Sequence, residues 1–388
     1  MHGLRIGKLK AMKLQIGFLL FTILAGACAG TSNTLSTAPI PPQGSLKGLA
    51  KAVLLADNRT EVSSLGTATP FLPVEPTPPN PQPVRLTEGG CCSLPMWSQD
   101  SQWVLFLDKP GEYYPAGLYG VPIAGGERTV VHERVGVYSR SMTLVAYPEA
   151  GRTYVERWAD DTRWVIPSQG RIVEFSPSGR SVAWSVGSRS IRYPDVRQST
   201  IWISDYEGEN AHEVITVNGG YLIGWEEGEE GIYVTGRLGP SMPSGIWRVD
   251  VETGAASLVM EAERPRSALL SPGGSYIAFY VALSSEPEAN GLWIVPSDGS
   301  PGIKLDLFGA YRWRYDDMLM VIPLEMEAPG ISLWQVDAAS GEAVQLTYPQ
   351  LTAISIANND WQISPDGRRM VYLSAEDRNL WVLRLPNR

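Results

Sequence analysis

The sequence predicts an all-β protein, a seven-bladed β-propeller of four-stranded antiparallel blades closed by an N-terminal strand that completes the last blade. Three observations predict it. A tight-turn unit, clearest as Ile363-Ser364-Pro365-Asp366-Gly367, recurs between two apolar strands. An aromatic residue in a short alternating strand follows each turn, at Tyr119, Tyr154, Trp202, Trp247, Trp293, Trp334 and Trp381. Among 388 residues, 39 Gly and 30 Pro punctuate many turns and leave little room for long helices. The mean period is about 44 residues, the spacing of one propeller blade.

The first segment reads as an address. Arg5, Lys8, Lys10 and Lys13 precede an apolar run from Leu14 to Ala27, a basic region followed by a hydrophobic one. The run is short for a membrane span. It ends Leu24-Ala25-Gly26-Ala27-Cys28, which resembles a bacterial lipobox, although the preferred Leu sits one place early. The resemblance implies a signal peptide over 1–27, cleavage before Cys28 and lipidation of its thiol. Met12 offers a second start. Cleavage removes four positive charges from a formal −9, leaving about −13, a charge unsuited to nucleic acid.

Residues 28–82 form a Pro/Ser/Thr-rich tether. Pro39, Pro41 and Pro42 lie at one end, and Pro76, Pro78, Pro79, Pro81 and Pro83 cluster around the other. Such composition buries little and favours extended, solvated chain with a reach on the order of 40 Å.

The propeller occupies 83–388. Its turns are anchored at 98, 139, 176, 226, 271, 314 and 364. Ser or Asp begins each clear turn, Pro fixes φ, and Gly takes the strained last position. Phe175-Ser176-Pro177-Ser178-Gly179 and Leu270-Ser271-Pro272-Gly273-Gly274 repeat the pattern; the copies at Ser139, Glu226 and Arg314 are degenerate. A second tight turn and a last strand follow each aromatic. The seventh unit ends after three strands, and Pro83-Val84-Arg85-Leu86-Thr87 stands ready as its fourth, removing two sheet edges at once. The aromatic series is expected to fill the wedge against the next blade.

The Ser-Pro-Asp-Gly turn followed by an apolar strand resembles the TolB-type, WD-repeat-like propeller repeat. The resemblance covers the propeller alone, since residues 29–82 are too few and too Pro-rich for the α/β domain that TolB carries.

Antiparallel order places the two tight turns of every blade on one face and the longer connections on the other. Long loops on a rigid scaffold carry function. The candidate binding residues are therefore Tyr113, Tyr114, Arg189, Arg192, Tyr193 and Arg197 on the long loops, with Arg266, Arg312 and Asp360 near the channel mouth. Arginines there are suited to an anionic group. Cys91-Cys92 reads as two semi-buried thiols, with a vicinal disulfide as the alternative in an oxidising envelope. His132 and His212 stand in no metal-ligand frame, so neither metal nor cofactor is expected. No Gly-x-Ser-x-Gly elbow is present, and the run Glu226, Glu227, Glu229, Glu230 reads as a solvated turn.

These observations point to a non-catalytic binding module, a lipid-anchored, extracytoplasmic propeller of the bacterial envelope. Its expected partners are the membrane, through Cys28, and a protein or cell-wall component. Two alternatives stand beside it. One is a calcium-assisted hydrolase or lyase with its site at the channel mouth, and the other is a structural part of an envelope assembly.

Overall fold

The computed structural model describes residues 81–188, 197–324 and 330–387. Cys28, the signal segment and nearly all of the tether lie outside them. The described residues form seven four-stranded antiparallel sheets in a ring, over 93–132, 137–166, 173–218, 222–261, 266–305, 309–345 and 356–384. The last sheet takes its fourth strand from Val84–Arg85, with Val84 opposite Val382 and Arg85 opposite Trp381. The blade count, the strand order and the closure are as the repeat predicts. The likeness to TolB-type repeats holds as a likeness of fold.

The turn at the inner end of each blade rests on one hydroxyl. In five blades the anchoring serine accepts, at its Oγ, the backbone N–H five residues on. The pairs are Ser98 with Trp103, Ser139 with Leu144, Ser176 with Ser181, Ser271 with Tyr276 and Ser364 with Arg369, at 2.9–3.1 Å. Four of these serines are almost fully buried, where an unpaired N–H would be costly. The fourth turn position is left-handed at Gly179, Gly274 and Gly367, and equally at Ser101, Met142 and Glu229 in the less regular copies. The motif therefore survives as geometry where it has faded as sequence.

Glu226 and Arg314 replace the serine in the other two blades. Glu226 is paired to Arg248 at 2.6 Å. Arg314 is buried and donates to the Gly367 carbonyl at 2.8 Å, fastening blade 6 to blade 7. The rest of the acidic run also forms clasps rather than a merely solvated turn. Glu227 meets Arg140 at 2.7 Å, and Glu229 accepts from the backbone and hydroxyl of Ser178.

Six apolar clusters fill six of the seven blade interfaces. The aromatic series lines these wedges but faces the preceding blade, not the next. Trp334 of blade 6 packs with Leu292 and Ile294 of blade 5, and Trp293 of blade 5 with Ile246 of blade 4. The interface between blades 1 and 2 is built differently. There His132 stacks on Trp158 with centroids 4.8 Å apart, and Tyr138 meets Trp158 edge-on. Buried Glu156 accepts from Tyr147 and faces Arg134 and His132.

Closure depends on Thr87, which is 5% exposed. Its hydroxyl donates to Asn379 and its oxygen accepts the Leu380 N–H at 2.9 Å. Thr87→Val keeps the shape and leaves that N–H unpaired. We expect a loss of about 1–3 kcal/mol in urea unfolding; an unchanged midpoint would refute the role of this residue in closure.

Candidate functional site

The innermost strands line the central channel, and their register decides which side chains reach it. The residue two places before each turn anchor occupies one level of the ring: Met96, Val137, Glu174, Gly224, Leu269, Arg312 and Gln362. The ladders place these residues opposite equivalent second-strand positions, including Leu105, Ala146, Ala183, Tyr233, Ala278, Met320 and Val371. All but Gly224 are half-buried, and Val137 and Leu269 also pack against the apolar cores between blades 2 and 3 and between blades 5 and 6.

This ring is apolar apart from Glu174, Arg312 and Gln362. Glu174 lies between Val173 and Phe175, which turn the other way into the core shared by blades 2 and 3. Its carboxylate leans towards blade 4, where Gly224 makes room; a Cβ there would stand 3.3 Å from Oε1. No described residue offers it a hydrogen bond. Loss of hydration among apolar walls alone raises its pKa to about 7. A carboxyl half-ionised at neutral pH, reachable by water, is suited to proton transfer in either direction.

The mouth above this ring lies on the long-loop side. Backbone strain gathers there at Cys92, Leu94, Arg264, Ser267, Asn358 and Asn359, whose φ values run from 50° to 78°. Register shifts bend four innermost strands at the same end. Bulges and left-handed non-glycine residues re-aim side chains, at an energetic cost that functional sites commonly carry. Asp360 accepts the Leu94 N–H, while burial raises its pKa. The Tyr221 hydroxyl accepts the Ala268 N–H at 2.9 Å. Cys91 and Cys92 are joined to each other at the start of the first innermost strand, so the vicinal disulfide, not the pair of thiols, is the form present.

The other residues singled out from sequence are more scattered. Arg266, Arg312 and Asp360 are half-buried in innermost strands, where the channel mouth was expected. Tyr113 and Tyr114 are 95% and 57% exposed on the outer loop of blade 1. Arg197 is exposed, and its carbonyl accepts the Gly219 N–H. Arg189, Arg192 and Tyr193 lie outside the described residues. Two long loops border a groove of about 380 Å³ between blades 4 and 5, lined by Arg237, Glu261, Glu263, Ser285 and Trp293. A larger cleft of about 560 Å³ opens on the tight-turn side near Asp205, His212 and Trp225. It is a poor nucleophile site, because both His212 ring nitrogens face backbone carbonyls. Glu174 was missed from sequence, although the signal was present: a lone acid two places before a turn anchor, where four of the other blades have Met, Val, Gly or Leu.

Comparison with known proteins bears on the reading of function. No family model and no curated protein matches the sequence. Solved structures match at low identity. An oligogalacturonate lyase in complex with manganese is 12% identical with a TM-score of 0.59, over 79% of this chain and 93% of that one. An oligogalacturonate lyase from Vibrio parahaemolyticus is 11% identical with a TM-score of 0.57, over 79% and 94%. The β-propeller domain of the Trilobed protease from Pyrococcus furiosus is 16% identical with a TM-score of 0.51, over 76% and 98%. At such identities the likeness is one of fold. The expectation of a non-catalytic binding module is nonetheless overturned. It rested on the lack of a familiar motif, whereas matching propellers of nearly the same extent are lyases, and the channel holds an acid poised near neutrality.

The Glu174 shift has a thermodynamic signature. The folded chain holds this proton more tightly than the unfolded chain, whose value is near 4.5. The stabilisation is complete below that pH and is lost as pH rises through about 7. We expect roughly 2–3 kcal/mol of stability to disappear across this window. Glu174→Gln should flatten that slope in urea unfolding; an identical slope in the variant would show that Glu174 does not titrate there.

Proposed function

We propose that this chain is a propeller enzyme that cleaves its substrate by acid–base chemistry, as a lyase or hydrolase, at the long-loop mouth of the channel. The observation that carries the reading is Glu174, held near neutrality by desolvation beside the side-chain-free Gly224 of the next blade. In its ionised form the carboxylate takes a proton from a substrate carbon or from an attacking water. In its protonated form it returns that proton to the leaving group. A positioned acid–base group of this kind contributes about 10²–10⁴ in rate. The likeness in fold to oligogalacturonate lyases supports the class of reaction.

One of those lyases holds manganese, and among the described residues here no free group of three metal donors is gathered. His132 is stacked in an outer strand against Trp158, and both nitrogens of His212 face carbonyls at the outer edge of blade 3. Among the described residues, the one grouping of three potential ligands is Cys91, Cys92 and Asp108, whose sulfurs are bonded to each other. The acids imagined around calcium do not converge at the mouth among those residues either. The proposal therefore assigns the chemistry to side chains of the chain itself.

We also place the ring outside the cytoplasmic membrane, tethered through Cys28. The basic and apolar N-terminal pattern supports this. Cys28→Ala should move the protein from the membrane fraction to the soluble one; full retention in membranes would sink the anchor.

Activity can be sought on oligogalacturonate, on other acidic oligosaccharides and on peptide amides, following unsaturated products by ultraviolet absorbance and new termini by chromatography. We expect Glu174→Gln to lower turnover at least about 100-fold on any substrate cleaved, with no fall in melting temperature. The wild-type rate should show one pH limb near 7. Full turnover by Glu174→Gln would overturn the assignment.

A further inference from the structure

The ring that holds Glu174 carries one cation, three blades further round. Arg312 is half-buried, and burial lowers the pKa of its guanidinium. No carboxylate among the described residues lies within ion-pair distance of it; Asp360 acts on it only from further away. Its protein partners are two backbone carbonyls, Tyr311 at 2.7 Å from Nη1 and Asn359 at 3.4 Å from Nη2. A guanidinium has five N–H donors in a planar fork, so most of them remain without a protein acceptor among the described residues.

The group is also held in place. It lies 5.2 Å from the centre of the Trp361 ring, a buried indole in the next blade. The Trp361 Nε1 donates to the Asn359 side chain at 2.7 Å, so one asparagine positions both the indole and the guanidinium. Asn358 and Asn359 are consecutive left-handed residues, at φ 54° and 59°, where that innermost strand bulges between Ile356 and Trp361. A strained segment thus orients a cation whose counter-charge the described protein does not supply. Tyr311 and Trp361 beside it are buried aromatics, and low polarity strengthens any ion pair formed there. The body as a whole is acidic, with a formal charge of −9, so general electrostatic steering does not account for a cation at this place.

We infer that Arg312 is the docking point for an oxyanion of the ligand, a carboxylate or phosphate held by the planar fork. The ligand of the channel is then anionic. The inference rests on the channel being the site, but not on Glu174 being the acid–base group. The competing role, a brace between blades 6 and 7, needs the two carbonyl bonds and the indole contact but no ligand.

The test uses the full chain and two anionic probes, inorganic phosphate and glucuronate, with glucose as the neutral control. Binding is measured by calorimetry and by the shift in melting temperature. We expect at least one anion to bind and glucose not to. Binding of phosphate alone identifies a phosphoryl ligand, and binding of glucuronate alone a carboxylate; either supports the inference. Arg312→Gln should weaken anion binding at least tenfold, while Arg312→Lys, which keeps the charge and loses the fork, should fall between. Glu174→Gln should bind the anion as well as wild type or better, so a failure of the acid–base assignment leaves this result intact. Equal anion binding by wild type and folded Arg312→Gln, or no anion binding by wild type, would overturn it.

Discussion

The fold depends on a single short hydrogen bond, the one from a strand's first N–H to the hydroxyl of the serine that opens the turn. A two-strand ladder can slip, and a slip of one residue exchanges its two faces. The serine prevents this by tying the end of the innermost strand to the start of the second, five residues on. With that register set, alternation assigns each innermost residue to one side of its strand, Val173 and Phe175 to the core shared by blades 2 and 3 and Leu269 to that shared by blades 5 and 6. One local bond, repeated around the ring, thereby decides which seven side chains share a channel level. In blade 4 Glu226 is instead paired to Arg248 of the third strand, and in blade 6 Arg314 reaches the Gly367 carbonyl of the neighbouring turn.

The chemistry of the channel follows from this arrangement. Carboxylates on outer turns, such as Asp250 and Asp298, accept hydrogen bonds that hold their pKa values below the usual range. Glu174 is set in the opposite environment. Its neighbours in the ring are chiefly apolar, its own strand offers no donor, and the adjoining blade presents a glycine. Desolvation then acts without opposition. Arg312 carries the opposite charge beside the buried Trp361 indole, and there too burial disfavours the ionised form. A purely structural design would pair the two groups or replace both, because uncompensated buried charge is expensive. Instead Glu174 lies beside Gly224 of blade 4 and Arg312 over Trp361 of blade 7, with no ion pair to either among the described residues.

The architecture was legible in sequence because turn chemistry is local. Ser, Pro and Gly write the turn into four or five consecutive residues, and the copies at Ser139 and Glu226 could be placed by period once the clear ones were known. The site was less legible because it depends on register. Tyr113 and Tyr114 were chosen for lying on a long loop, and they project outward from blade 1. Arg312 was chosen for lying near a strand start, and register brings it into the ring. Glu174 carried no motif and was passed over, although counting back from the turn anchor would have found it. The direction faced by the aromatic series was also hidden, since alternation says that a residue is buried but not which neighbouring blade receives it.

The two faces of the ring divide stability from function. On the tight-turn side, serine hydroxyls, Arg140, Glu227, Glu229 and Arg314 satisfy the turns and clasp one blade to another. On the long-loop side, innermost strands begin with bulges and left-handed non-glycine residues, and Asp360 and Arg312 are held by backbone groups rather than by a full partner. Strain of this kind would relax if nothing held it. It persists because each innermost strand is fixed at its other end by the turn and along its flank by an interface core. The rigidity of one face is thus the condition for the strain of the other, and Asp360 follows directly on the strained pair Asn358 and Asn359.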